Sequence, residues 1–175
     1  MKKMLVSAAA AFLLPIGVAH AVDQPERKEG LWSIHMQTIP TAGNDESGNK
    51  TSKTTESSQK ICRSHAFDEY ARSVEEKGNK DRGCTTISES FRDGKYSREM
   101  HCVMHGTIIM DSKETSSFQG DTAIHTESSG SLWTGLGGGN STMIQDEKYV
   151  GSCPEGVQPG DVIEEEGKVT HLWKH

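Results

Sequence analysis

Four cysteines, Cys62, Cys84, Cys102 and Cys153, set the terms on which this chain of 175 residues can fold. They are even in number and no two are spaced C-x-x-C, so neither a zinc ribbon nor a thioredoxin-type redox pair is present, and they read as two structural disulfides. Three pairings are open in principle. The segment between Cys84 and Cys102 narrows the choice, because Arg92-Asp93-Gly94 between Phe91 and Tyr96 is a hairpin signal. If those three residues form the loop, Phe91 faces Lys95, paired residue numbers sum to about 186, and Cys84 stands opposite Cys102. Opposed strand positions bring Cβ atoms to about 4.5–5.5 Å, close to what a disulfide needs. Cys62 and Cys153 then pair by elimination.

Disulfides need an oxidising compartment, and the N-terminus supplies the address. Lys2 and Lys3 form a positive start, Met4 to Val18 an apolar run too short to span a bilayer as a stable helix, and Ala19-His20-Ala21 offers small residues for cleavage between Ala21 and Val22. Residues 1–21 therefore read as a secretory signal peptide, and the expected location is a bacterial periplasm. No cysteine near the cleavage site could carry a lipid. Residues 22–175 are about the length of one domain.

Losing Lys2 and Lys3 takes the formal charge from −6 to −8, which argues against nucleic acid and anionic membrane surfaces as partners. Apolar residues fall to about a quarter of the remaining chain, and to little more than a third with glycine included, against the usual 45–50% counted that way. Such a chain buries a thin core and relies on its cross-links.

Hydrophobic periodicity then assigns the elements. Leu31 to Thr38 alternates as a strand with Trp32, Ile34 and Met36 on one face, Pro40 to Asn49 reads as a loop, and Thr51 to Cys62 is strand-compatible. Phe67, Tyr70, Ala71 and Val74 mark one face of a helix between Ser64 and Gly78, with Ser64 as its cap and Asn79 to Gly83 as a polar connection. Strand signals return at Thr85–Phe91, Lys95–His105, Thr107–Thr115, Phe118–Thr126 and Ser141–Val150, and Val169, His171 and Trp173 suggest an edge strand. Ser128 to Asn140, with Gly135-Leu136-Gly137-Gly138-Gly139, reads as a mobile loop. The expected fold is mainly β: a curved antiparallel meander of about six to eight strands with one packed helix and two disulfides.

Motifs that carry chemistry are scarce. The glycine run has neither the G-x-G-x-x-G spacing nor a following Lys-Ser/Thr pair, so it reads as a loop rather than a nucleotide site. There is no G-x-S-x-G elbow and no H-E-x-x-H helix, so no catalytic residue can be named and no cofactor is implied. Glu164-Glu165-Glu166 lacks the alternation of a calcium loop and reads as a solvated face. Met100-His101 and Met104-His105 resemble a copper(I) cluster, but His101 and His105 on one strand lie about 13 Å apart. His35, His101, His105 and Met104 are the candidate ligands of an alternative copper- or zinc-binding function. The leading expectation is a non-enzymatic domain that binds a small apolar ligand or an envelope protein, with Trp32, Met36, Trp133 and Met143 as candidate lining residues.

Several of these segments together resemble a bacterial family, domain of unknown function 3617. They are Gly30-Leu31-Trp32 opening the first strand, Cys62 before the helix, the Cys84–Cys102 hairpin, and the ending Tyr149-Val150-Gly151-Ser152-Cys153-Pro154 followed by Gly156 and Pro159-Gly160. The resemblance covers about residues 29–160 and implies a small exported β-rich domain with no established activity. Residues 161–175 are left as a C-terminal tail.

Overall fold

The structure, a computed structural model, describes residues 22, 24–43 and 53–173, so the expected signal segment 1–21 lies outside the described residues. Nine strands and one helix follow in the order β1 (Gly30–Gly43), β2 (Thr55–Arg63), α1 (His65–Asp81), β3 (Cys84–Arg92), β4 (Lys95–Met104), β5 (Ile108–Gln119), β6 (Ala123–Thr134), β7 (Gly137–Gly151), β8 (Asp161–Glu164) and β9 (Val169–His171). They form a single open sheet in the order β3-β4-β5-β6-β7-β1-β2-β8-β9, antiparallel at every pairing. The five strands β3 to β7 are a meander of short connections. The N-terminal strand β1 then inserts between β7 and β2, which puts an element from the start of the chain at the centre of the sheet.

The mainly β, one-helix fold read from periodicity is the fold observed, with two strands from the C-terminal stretch bringing the total to nine. Residues 161–173 are built into the sheet: Asp161 and Val162 are buried, β8 pairs with β2, and the Trp173 ring lies 5.6 Å from that of Tyr70 and 5.9 Å from that of Phe67.

The β3–β4 hairpin reaches its cysteine pairing by an unexpected route. Its turn has two residues, Asp93 and Gly94, both with positive φ (52° and 73°), so Arg92 faces Lys95 and Phe91 faces Tyr96. This is the geometry whose twist matches paired strands, and Asp-Gly is among the pairs that adopt it most readily. The register near the turn is thus one residue off the one expected from a three-residue loop. An irregularity between Thr86 and Ser88 inserts Ile87 as an extra residue, and beyond it Cys84 stands opposite Cys102 after all. Disulfides join Cys84 to Cys102 and Cys62 to Cys153, as two cross-links suited to an oxidising, exported environment.

Ser64 caps α1, its hydroxyl accepting from the Phe67 backbone N–H at 3.2 Å. The helix continues three residues past Gly78 to Asp81, and the stretch expected as a polar connection is its last turn. A single glycine costs a helix only about 1 kcal/mol against alanine. A tertiary contact outweighs that here, since Asn79 reaches the Met100 sulfur on β4, and the Arg82 N–H closes the helix end on the Gly78 carbonyl.

Trp32, Ile34, Ile61, Ile124 and Val162 from the sheet meet Phe67 from the helix to form the core, flanked by Ala71, Phe118, Tyr149 and Trp173. Val74, expected in this packing, is half exposed, and Tyr70 reaches it only through its stack on Trp173. Phe67 lies beside Gly160 at the start of β8, whereas Glu75 and Asn79 meet Arg98 and Met100 on β4. From Phe67 to Asn79 is about 18 Å of helix. Six strand spacings separate β4 from β8, about 29 Å in a flat sheet, so the sheet curls towards the helix that crosses it.

The β6–β7 connection departs furthest from expectation. In place of a mobile loop over 128–140, β6 runs to Thr134, Gly135-Leu136 turns, and β7 starts at Gly137. The Thr134 hydroxyl donates to the Gly137 carbonyl at 2.8 Å. A Cβ on Gly138 would lie 2.4 Å from the Leu132 carbonyl oxygen, so here glycine serves close strand approach.

Candidate functional site

Register partners in an antiparallel sheet share a face, so the pairing table sorts the side chains. Ile34, Glu147, Ile124 and Phe118 fall in one row on the face covered by α1. The next row, Met36, Gln145, Thr126, Ser116 and Tyr96, lies on that face too. Much of this covered surface is polar. The buried Glu147 carboxylate accepts from Arg63 at 2.7 Å, Arg27 at 3.3 Å and Gln145 at 2.9 Å. The buried Ser116 and Thr126 hydroxyls bond each other at 2.8 Å. Buried Tyr96 donates to Glu89 at 2.6 Å, and burial together with that hydrogen bond holds its phenol well above the ordinary range. Arg98 bonds Glu75 of the helix at 2.6 Å and lies 3.5 Å from Glu114.

A cleft of about 520 Å³ opens between this polar network, the helix and the segment that precedes β1. That segment is anchored from several sides: the Lys28 N–H donates to the Asp121 carbonyl, the Trp32 indole donates to the Lys28 carbonyl at 2.8 Å, and the Lys28 ammonium sits 4.6 Å above the Tyr149 ring. Arg27, Arg63, His65, Asp68 and Arg72 line the cleft. Burial and the neighbouring Arg63 cation lower the pKa of Arg27, against the pull of Glu147.

The opposite face carries no helix. On it, Val103, Ile109 and Trp133 are cross-strand neighbours on β4, β5 and β6. Val103 and Trp133 are 43% and 54% exposed and Leu136 at the hairpin tip is wholly exposed, whereas Leu132, next to Trp133 on β6, faces the other way. Beside this apolar row runs a shallow groove of about 660 Å³ lined by Ile87, Glu99, Asp111, Lys113, Ser129 and Thr142. Two polar contacts rim it, the hydrogen bond of His101 with Asp111 at 2.7 Å and the ion pair of Lys113 with Glu99 at 2.9 Å.

Of the residues expected to line an apolar pocket, Met36 and Met143 are diagonal neighbours on β1 and β7, and the four do not form one pocket. Trp32 is wholly buried in the core, Met36 and Met143 are half-buried on the covered face, and Trp133 lies on the open face. The reason is parity: β6 places Ile124 inward, which sends Trp133, an odd number of residues away, outward. The expected metal ligands are also apart. His35 bonds Ser58, His101 bonds Asp111, and Met104 and His105 sit at the β4–β5 turn. Among the described residues no group of three His, Cys, Asp or Glu side chains could hold a metal ion. His125, which bonds Asp146 at 2.7 Å and Glu127 at 3.2 Å, is held above its ordinary pKa first by Asp146 and then by Glu127.

Arg27, Arg63 and Arg72 were not legible as a group, being scattered over 45 positions with no shared pattern. One signal was available: Met143, Gln145, Glu147 and Tyr149 alternate inward along β7, which seats a carboxylate where an apolar residue belongs.

A curled antiparallel sheet crossed by one helix and stapled by two disulfides thus holds a guanidinium-lined cleft. Residues 27–153 match the model of the family described as protein of unknown function (DUF3617), and the chain belongs to that family. No curated protein matches it. Among solved structures it is similar to the S-type phycobiliprotein lyase CPES from Guillardia theta, at 12% identity and a TM-score of 0.37, over 72% of this chain and 90% of that one.

Proposed function

We propose that the protein is a non-enzymatic binding domain of the periplasm, exported by residues 1–21, and that its open apolar end engages a protein partner of the cell envelope. The row Val103, Ile109 and Trp133, continued by Leu136 at the tip, carries the reading. A chain this poor in apolar residues leaves its large side chains exposed together on one surface, and exposed apolar patches with a polar rim mark interaction sites. The polar contacts His101–Asp111 and Lys113–Glu99 supply that rim. The polar character of the covered face, where Glu147, Ser116 and Thr126 are buried in hydrogen bonds of their own, supports a protein partner at the open face over an apolar ligand beneath the helix.

A photo-reactive phenylalanine at Trp133, in the full chain expressed with its export segment, is expected to trap one discrete partner. The same probe at Glu56, on the open face of β2, is expected to trap none. Equal adducts from both positions, or none from Trp133, would sink the reading.

A further inference from the structure

The cleft beside α1 lies far from the apolar end. Glu147 and Gly138 are nine residues apart on β7, about 30 Å along the strand, so the two regions act independently. Three guanidinium groups lie in the cleft, those of Arg27, Arg63 and Arg72, and two carboxylates, Glu147 and Asp68, accept hydrogen bonds from among them. Arg27 and Arg63 share the single carboxylate of Glu147, and Arg63 also bonds Asp68 at 2.8 Å through its Nε. Arg27 uses one of its guanidinium donors on Glu147, and among the described residues Arg72 has no hydrogen-bond or ion-pair partner. Arg72 follows Asp68 by four residues and so lies on the same side of α1. Burial first, then Arg63, and least of all Arg72 lower the pKa of Arg27.

Of the other acidic residues lining the cleft, Glu75 is bonded to Arg98, and Glu26 and Glu69 are exposed at its edge, as Arg72 is. A planar guanidinium fork suits the paired oxygens of a carboxylate or phosphate, and such charge-assisted bonds are strongest where water is partly excluded. The cleft, at about 520 Å³, has room for a small ligand.

The geometry points to this cleft as a binding site for the oxyanion group, carboxylate or phosphate, of a small ligand, held between Arg27 and Arg72 with Arg63 behind it. The ligand's oxygens supply Arg72 and the unused donors of Arg27 with acceptors that Glu147 and Asp68 do not. Arg63 and Glu147 position Arg27, and Arg72 closes the site from the helix.

Isothermal titration of the oxidised, mature protein at low salt tests the assignment, with inorganic phosphate and succinate as separate probes. At least one is expected to bind with a Kd below about 1 mM. Arg72→Gln, at an exposed helix position, should fold normally and weaken that binding at least about tenfold. Arg27→Gln should weaken it further, with circular dichroism reporting whether its fold is retained. Binding by phosphate alone assigns a phosphate group, and binding by succinate alone a carboxylate. No binding of either probe below about 10 mM, or an unchanged affinity in Arg72→Gln, overturns the site.

Discussion

At the scale of the residue, the charged side chains of this sheet divide by their surroundings. Glu147 is buried with two guanidinium partners, whereas His125 sits partly exposed on the open face between Asp146 and Glu127. His125 titrates above its ordinary value because Asp146, and next Glu127, favour its charged form. A group whose pKa is raised on folding stabilises the fold below its unfolded value, about 6.5 for histidine, and that stabilisation fades as pH climbs through the folded value. The melting temperature of His125→Gln should therefore fall below wild type at pH 5.5 and converge with it above about pH 8. A constant difference across that range would remove His125 as the cause. Partial exposure keeps the effect small, since solvent screens the pair.

Elements show where sequence reasoning carried and where it stopped. The α1 start was legible because a cap is local: Ser64 needs only the N–H three residues on. Its end was not, because the contact of Asn79 with Met100 joins residues 21 positions apart. In the β3–β4 hairpin the turn was placed correctly and its length was not. The bulge at Ile87 leaves no mark in the periodicity of a segment rich in Thr and Ser, so two local deviations offset each other in the register. The β6–β7 hairpin was misread for a compositional reason, since a glycine run looks mobile when backbone freedom is all that can be seen. What fixes it is the approach of the Leu132 carbonyl to Gly138. Gly138→Ala should destabilise the fold by about 1–3 kcal/mol in chemical denaturation, and Gly135→Ala, where nothing lies within 4 Å of an added Cβ, by less. Equal effects at the two positions would mean that chain entropy, not crowding, is what glycine supplies there. The arginine cleft draws its parts from the segment before β1, from β2 and from α1, and only the fold unites them.

For the whole molecule, the curled sheet buries a small core of six residues under one helix. Chain-entropy estimates give the Cys84–Cys102 cross-link about 3 kcal/mol and the Cys62–Cys153 cross-link about 4–5. Set against a net stability of about 5–15 kcal/mol for a domain, reduction should unfold the protein at or near room temperature. Circular dichroism melts with and without strong reductant check this, and an unchanged melt would show that packing alone suffices. The same arithmetic predicts that the chain retained without residues 1–21 in a reducing cytoplasm stays largely unfolded.

Cys62 lies at the end of β2 and Cys153 just after β7, so their bond clasps β1 from both sides and encloses the helix and the whole meander in one covalent loop. Pulled from its two ends, the oxidised molecule can pay out only the stretches before Cys62 and after Cys153. The 91-residue separation between the two cysteines stays out of reach of the force. Optical tweezers should therefore measure a fully stretched chain about 320 Å longer in reductant than without it. A protein tethered within an envelope under mechanical load would keep its arginine-bearing helix and its apolar hairpin end inside that loop, shielded from tension that peels away the strands on either side.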